Sequence, residues 1–160
     1  MQEHIQNELA SFIANCDWEK IAPHFKEDAA YRVLDWVGCA VAGEHYPQVE
    51  IAQKYFIENG DQGNSTVIGH QIKCSPRTAA FLNGIAGHVC ELDDGHRTAI
   101  GHPGSIAVPT ALALGEHLNA SGADVLKAVI LGYEVFSRLG RTVNPSHYRT
   151  WHTTGTCGTI

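Results

Sequence analysis

The sequence predicts an all-α fold, and three observations carry that expectation. Apolar residues recur at spacings of three and four along most of the 160-residue chain, the period that lays a stripe along one side of a helix. Ser75-Pro76 and Ser121-Gly122 stand where helices begin, and glycine or asparagine stands where several end. One short β-branched stretch, Ser65-Thr-Val-Ile68, interrupts the pattern and reads either as a strand or as an extended connector.

The elements follow in order. Leu9, Phe12 and Ile13 mark a first amphipathic segment, and Ala30, Val33, Leu34, Val37 and Val41 mark a longer second helix that stops near Gly43. A third helix starts near Pro47, carries Ile51, Ala52, Tyr55 and Phe56 on one face and ends at Asn59-Gly60. Ser75 followed by Pro76 opens a fourth, expected to run to about Leu92. Along it Ala80, Gly84, Gly87 and Glu91 share a ridge of small residues with His88 beside them, so another backbone can approach closely and the helix is expected to be central. Pro109, inside the apolar segment from Ile106 to Leu118, kinks that helix or marks its start. Ser121 with Asp124 caps a long apolar helix bearing Leu126, Val129, Ile130, Tyr133, Val135 and Phe136, and Arg138 and Arg141 are expected to cap its carboxyl end. Gly155-Thr-Cys-Gly-Thr-Ile160 resembles the first turn of a further helix, so the sequence reads as cut off.

Composition narrows the function classes. Hydrophobic residues make up 44% of the chain and charged residues 18%, which excludes disorder and leaves surface for packing against other protein. Eleven Lys and Arg against 17 Asp and Glu give a net charge of −6 with no basic run, so neither nucleic acid nor a membrane surface is an expected partner. Cys16, Cys39, Cys74, Cys90 and Cys157 are scattered with no Cys-x-x-Cys pair, as expected for reduced thiols in a cytoplasmic protein. The amino terminus lacks the layout of a secretory signal, and no apolar run approaches the roughly 18 residues of a membrane span.

Chemistry concentrates in Glu91-Leu-Asp-Asp-Gly-His-Arg-Thr-Ala-Ile-Gly-His-Pro-Gly104, where three carboxylates and two imidazoles fall within a dozen residues. Carboxylate and imidazole are the usual proton carriers near neutral pH. Taken singly, Asp93 and Asp94 also read as helix terminators and His96 as a solvent-facing residue. Arg97 has the planar fork that grips a substrate carboxylate, or else pairs with a neighbouring aspartate. A second segment places His152 before a Thr/Gly-rich turn containing Thr154 and Gly155, whose backbone N–H groups suit a carboxylate. Metal ligation is the rival chemistry, but neither His-Glu-x-x-His nor a two-His-one-carboxylate spacing stands out, so no metal ligand is assigned.

These pieces resemble the MmgE/PrpD family of 2-methylcitrate dehydratases, cis-aconitate decarboxylases and iminodisuccinate epimerases. The matching stretches are Ala79-Ala-Phe-Leu-Asn-Gly-Ile-Ala-Gly-His88, Glu91-Leu-Asp-Asp94, His102-Pro-Gly-Ser105, Ser121-Gly, Gly132-Tyr-Glu-Val135 and His152-Thr-Thr-Gly-Thr156 with Gly158. The resemblance implies that residues 1–160 form the amino-terminal portion of a large helical domain, with a smaller α/β lid domain outside this chain. It further implies a homodimer and proton chemistry on a small di- or tricarboxylate without a cofactor or metal. Carried over, it makes His102 and His152 the acid and base, with Asp93 and Asp94 orienting them. Substrate contacts fall to Glu91, His96, Arg97, Gly104, Thr154 and Gly155.

Glu91 stands where many relatives have aspartate and Gly95 where many have threonine, and the loop from Asp94 to His102 is a residue longer than in the decarboxylase. These departures weigh against decarboxylation in particular and leave dehydration, the leading expectation, and epimerisation open. The competing expectation is a truncated, non-catalytic helical unit that packs with a partner.

Overall fold

The computed structural model describes residues 2–159, with side chains from residue 4 onward. Its α-helices are α1 (Gln2–Ala14), α2 (Pro23–Gly43), α3 (Pro47–Glu58), α4 (Pro76–His88), α5 (Gly104–Leu118), α6 (Gly122–Val143) and α7 (Thr153–Cys157). Strands β1 (Ser65–Val67) and β2 (Ile72–Cys74) form an antiparallel hairpin between α3 and α4, with Ser65 opposite Cys74. The all-α class therefore holds, with this one small sheet added. Among the described residues, no helix is long and apolar enough to cross a membrane.

The core forms where α2, α4, α5 and α6 meet. Trp36 of α2 is fully buried and packs in one cluster with Ala40, Val49, Ala86, Val108 and Val129. The close approach expected of α4 is present. A methyl group at Gly87 would lie 2.6 Å from the Trp36 indole, so only glycine lets α2 settle against α4 at this crossing. On α5, Pro109 is buried inside the helix, which begins five residues earlier than the later of the two expected starts. Having no N–H, Pro109 leaves the Ser105 carbonyl without its usual i+4 donor, and that carbonyl and the proline ring face Gly84 of α4.

The sequence expectation caught part of the inward face of α2, since Val33 and Val37 are half-buried against the core. Its buried residues are Ala29, Trp36, Cys39, Ala40 and Gly43, while Leu34 is 68% and Val41 48% exposed. The large ring of Trp36, with small residues around it, centres the inward face, and Leu34 and Val41 are turned outward. On α3 the face likewise turns, so that Val49 is buried and Ala52 and Phe56 are half-buried, whereas Ile51 and Tyr55 are exposed. The long helix α6 follows its expected pattern. The Ser121 hydroxyl accepts from the Asp124 N–H at 3.1 Å, and Val129, Leu131 and Phe136 are buried. Arg138 pairs with Glu134 one turn back, at 2.6 Å, instead of capping the helix end.

The hairpin is fastened by side chains from two helices. Asn83 of α4 accepts from the Ile68 N–H and donates to the Thr66 carbonyl, both at 2.9 Å, while the Ser65 hydroxyl donates to the Ala113 carbonyl of α5 at 2.6 Å. At the far end, α7 begins at Thr153, ahead of the expected start, and Ile160 lies outside the described residues.

Candidate active site

Helix α4 ends at His88, four residues short of the expected boundary. Glu91 then adopts φ +53°, a left-handed conformation that costs a non-glycine residue roughly 1–2 kcal/mol. The small-residue ridge therefore stops before Glu91, which is exposed, with Oε1 3.8 Å from His88 Nε2. This reversal turns the chain inward at once, and the next acidic residue, Asp93, is buried.

Two adjacent aspartates face different ways. The Asp93 carboxylate accepts a short hydrogen bond from the Ser105 hydroxyl, lies 3.0 and 3.1 Å from His88 Nδ1, and has Oδ2 3.3 Å from His102 Nδ1. Asp94 points toward the scaffold. It accepts from the Gly104 N–H at the start of α5, where the helix dipole favours a negative charge, and from Arg32 Nη1 at 3.0 Å. Arg32 also donates to Asp28 at 2.6 Å and lies over the Tyr133 ring. Burial, followed by the charge of Asp94 and a hydrogen bond to it, pushes the Tyr133 hydroxyl far above its ordinary pKa.

Between Asp94 and His102 the loop folds on itself. His96 N–H donates to the Gly101 carbonyl and Ile100 N–H to the His96 carbonyl, each at 2.8 Å. Ile100 holds φ +52°, a conformation that a β-branched residue rarely adopts. Buried Ala99 sits against Gly140 and Phe136 of α6 and pins the loop from below. Asn144, just past α6, donates to the Ala99 carbonyl and, at 3.0 Å, to the Thr153 hydroxyl, and the Thr154 hydroxyl accepts from the His102 N–H at 3.0 Å. The acidic loop and the start of α7 are thus joined by hydrogen bonds.

That junction brings three imidazoles together. The His88 and His102 rings are 4.8 Å apart, and His152 stacks on His88 at 6.3 Å. A cavity of about 270 Å³ opens beside them, lined by Gly95, His96, Arg97, His102, Tyr148 and His152. Of the residues singled out in the sequence, Asp93, His102 and His152 meet here, and His96 and Arg97 line the same cavity. Arg97 is exposed and has no carboxylate partner among the described residues. Asp94, Gly104 and Thr154 lie behind this surface. A Cβ at Gly104 would meet the Asp94 carboxylate at 2.5 Å and the Tyr133 hydroxyl at 2.8 Å, and Thr154 is buried and engaged with His102. Gly155 is exposed on α7 and does not line the cavity.

His88 is the residue that sequence reasoning missed. It was read as the polar end of a packing ridge, although its offset of five residues from Asp93 across a helix end is the signal that could have found it. With His88 included, two histidines and one carboxylate converge, a combination that their linear spacing conceals.

Residues 7–160 match the MmgE/PrpD N-terminal domain. The chain belongs to the MmgE/PrpD family. Among relatives, it is 30% identical over 158 residues to the cis-aconitate decarboxylase-like protein oryM of Aspergillus oryzae, covering 93% of this chain and 33% of that protein. To the cis-aconitate decarboxylase of Aspergillus terreus it is 31% identical over 163 residues, covering 98% of this chain and 32% of the relative. To the human cis-aconitate decarboxylase it is 36% identical over 112 residues, covering 67% of this chain and 23% of the relative. This MmgE/PrpD chain therefore spans about a third of the length of the Aspergillus relatives.

Proposed function

We propose that this chain supplies the acid–base wall of a lyase of the 2-methylcitrate dehydratase type, acting next to a carboxylate of a small di- or tricarboxylate. The observation that carries the reading is the buried Asp93 carboxylate at Nδ1 of His102, on the rim of a cavity that His152 also lines. A carboxylate beside one ring nitrogen stabilises the positive imidazolium by its charge and leaves the other nitrogen to exchange a proton. His102 then removes a proton from the carbon next to a substrate carboxylate, His152 delivers one to the departing hydroxyl, and Arg97 with His96 holds a carboxylate at the mouth. The same first step followed by proton return to the opposite face would give epimerisation.

The names of the relatives favour a second reading, decarboxylation of cis-aconitate, in which the same imidazoles protonate the carbanion left by loss of carbon dioxide. Full-length protein given 2-methylcitrate or cis-aconitate, with products followed by NMR, separates the two. Formation of a new C=C bond from methylcitrate supports dehydration, whereas carbon dioxide release from cis-aconitate alone replaces it with decarboxylation. Under either reading, His102→Gln lowers turnover by about two orders of magnitude, and near-normal turnover removes His102 from the chemistry. A homodimer and a cytoplasmic setting belong to the same proposal. The exposed apolar side chains of α2 and five cysteines without disulfides support them, and size-exclusion chromatography of the full-length protein tests the first.

A further inference from the structure

The carboxylate and two imidazoles behind the cavity make more than proton transfer available. One ligating atom from each of His88, Asp93 and His102 lies within 4.8 Å of the other two. His102 Nδ1 is buried and makes no hydrogen bond among the described residues, although Asp93 Oδ2 is 3.3 Å away. The distance permits a bond and the angle does not. A buried ring nitrogen left unpaired beside a fully buried carboxylate is an orphaned polar group, and such groups mark places where an ion or water belongs.

We propose that His88, Asp93 and His102 form a binding site for a divalent cation of the zinc class, and that the bound ion inhibits the enzyme. Two imidazole nitrogens and one carboxylate oxygen suit zinc and its neighbours in the transition series. Magnesium and calcium, which require oxygen donors throughout, are disfavoured. The ion takes the place of a proton at the ring nitrogens, so each imidazole carries its remaining proton on the other nitrogen. Ser105 holds Asp93 from behind as the outer partner of a ligand, and water or His152 completes the coordination. Tetrahedral bonds of about 2.0–2.2 Å place donors roughly 3.4 Å apart, so a separation of 4.8 Å has to shrink by about 1.4 Å. Rotation of two rings that are 28% and 24% exposed, one at a helix end and one at a loop end, accomplishes that.

Inhibition rests on the acid–base reading of His102, because a coordinated imidazole cannot exchange protons with substrate. Binding itself does not. The test is calorimetric titration of zinc chloride into tag-free, chelator-stripped full-length protein, comparing wild type with His88→Gln, His102→Gln and, as a control on the exposed end of α5, His117→Gln. The expected result is one zinc ion per chain, affinity lowered at least tenfold in the first two variants and unchanged in the third, and no heat with magnesium chloride. Absence of saturable zinc binding below about 1 mM overturns the site, as does affinity unchanged in both His88→Gln and His102→Gln. Zinc that binds one to one without lowering turnover leaves the site standing and sinks the inhibition together with the role of His102. Turnover lost in His102→Gln with no zinc bound by wild type does the reverse.

Discussion

Replacing Asp93 with asparagine keeps the size of the side chain and removes only its charge. In the native protein one buried carboxylate accepts from Ser105 and faces the Nδ1 atoms of His88 and His102. The amide oxygen still accepts from Ser105, but the amide nitrogen must then turn toward an imidazole and compete as a donor. Unit charges about 3.3 Å apart attract by roughly 1 kcal/mol at the dielectric of water and about 5 kcal/mol at an effective dielectric near 20, with no hydrogen bond required. Between those limits the charge is worth roughly 2–4 kcal/mol when His102 becomes positive in the transition state of the proposed reaction. Each 1.36 kcal/mol is tenfold in rate, so kcat is expected to fall by about 30-fold or more, with KM changing less than about threefold. The measurement is steady-state kinetics of the full-length variant on whichever polycarboxylate the wild type turns over, with urea unfolding to confirm an intact fold. A kcat within about threefold of wild type would refute the claim that the Asp93 charge stabilises a positive His102.

Gly87→Ala should lower unfolding free energy by about 1–3 kcal/mol, because its methyl group would meet the Trp36 indole at 2.6 Å; urea denaturation with little loss would show that the crossing of α2 and α4 relaxes freely. Gly95→Thr should leave stability within about 0.5 kcal/mol of wild type, since nothing lies within 4 Å of its Cβ position, while changing the ratio of kcat/KM between methylcitrate and cis-aconitate. An unchanged ratio would remove Gly95 from specificity. For Glu116, burial acts to raise the pKa, but hydrogen bonds from the Thr66 hydroxyl and N–H and from Lys73 together hold it below the usual carboxylate range. A depressed folded pKa stabilises the protein above the unfolded value, and this contribution is lost as pH falls through the folded value. Glu116→Gln should therefore flatten the decline of melting temperature between about pH 6 and pH 3, and an identical slope would contradict the assignment.

Much of the helical frame was legible because its signals are local. Ser75-Pro76 and Ser121 with Asp124 start helices through their own side chains, and those helices appear where the sequence puts them. Facing was less legible, since Trp36 decides which side of α2 is inward through contacts with Val49, Ala86 and Val129, which no local pattern reveals. The hairpin partner of Ser65–Val67 was missed because β2 is three residues long and owes its place to Asn83 and Glu116, which hold the facing strand. At the site, Asp93, His102 and His152 were visible as chemistry, but their geometry depends on the left-handed residue Glu91 and on clamps from Asn144 and Thr154. Those are tertiary choices, and they explain why His88 escaped notice.

The segment from Gly95 to Gly101 is secured at both ends and along its underside, by Asp93 and Asp94 before it, His102 after it and Ala99 beneath. It behaves as an interchangeable cassette. A residue added to or removed from its outer arc alters the rim of the cavity without disturbing Asp93 and His102 anchored at its borders. On the proposed function, new specificities are therefore reachable by exchanging one short peptide, with Asp93 and His102 left in place.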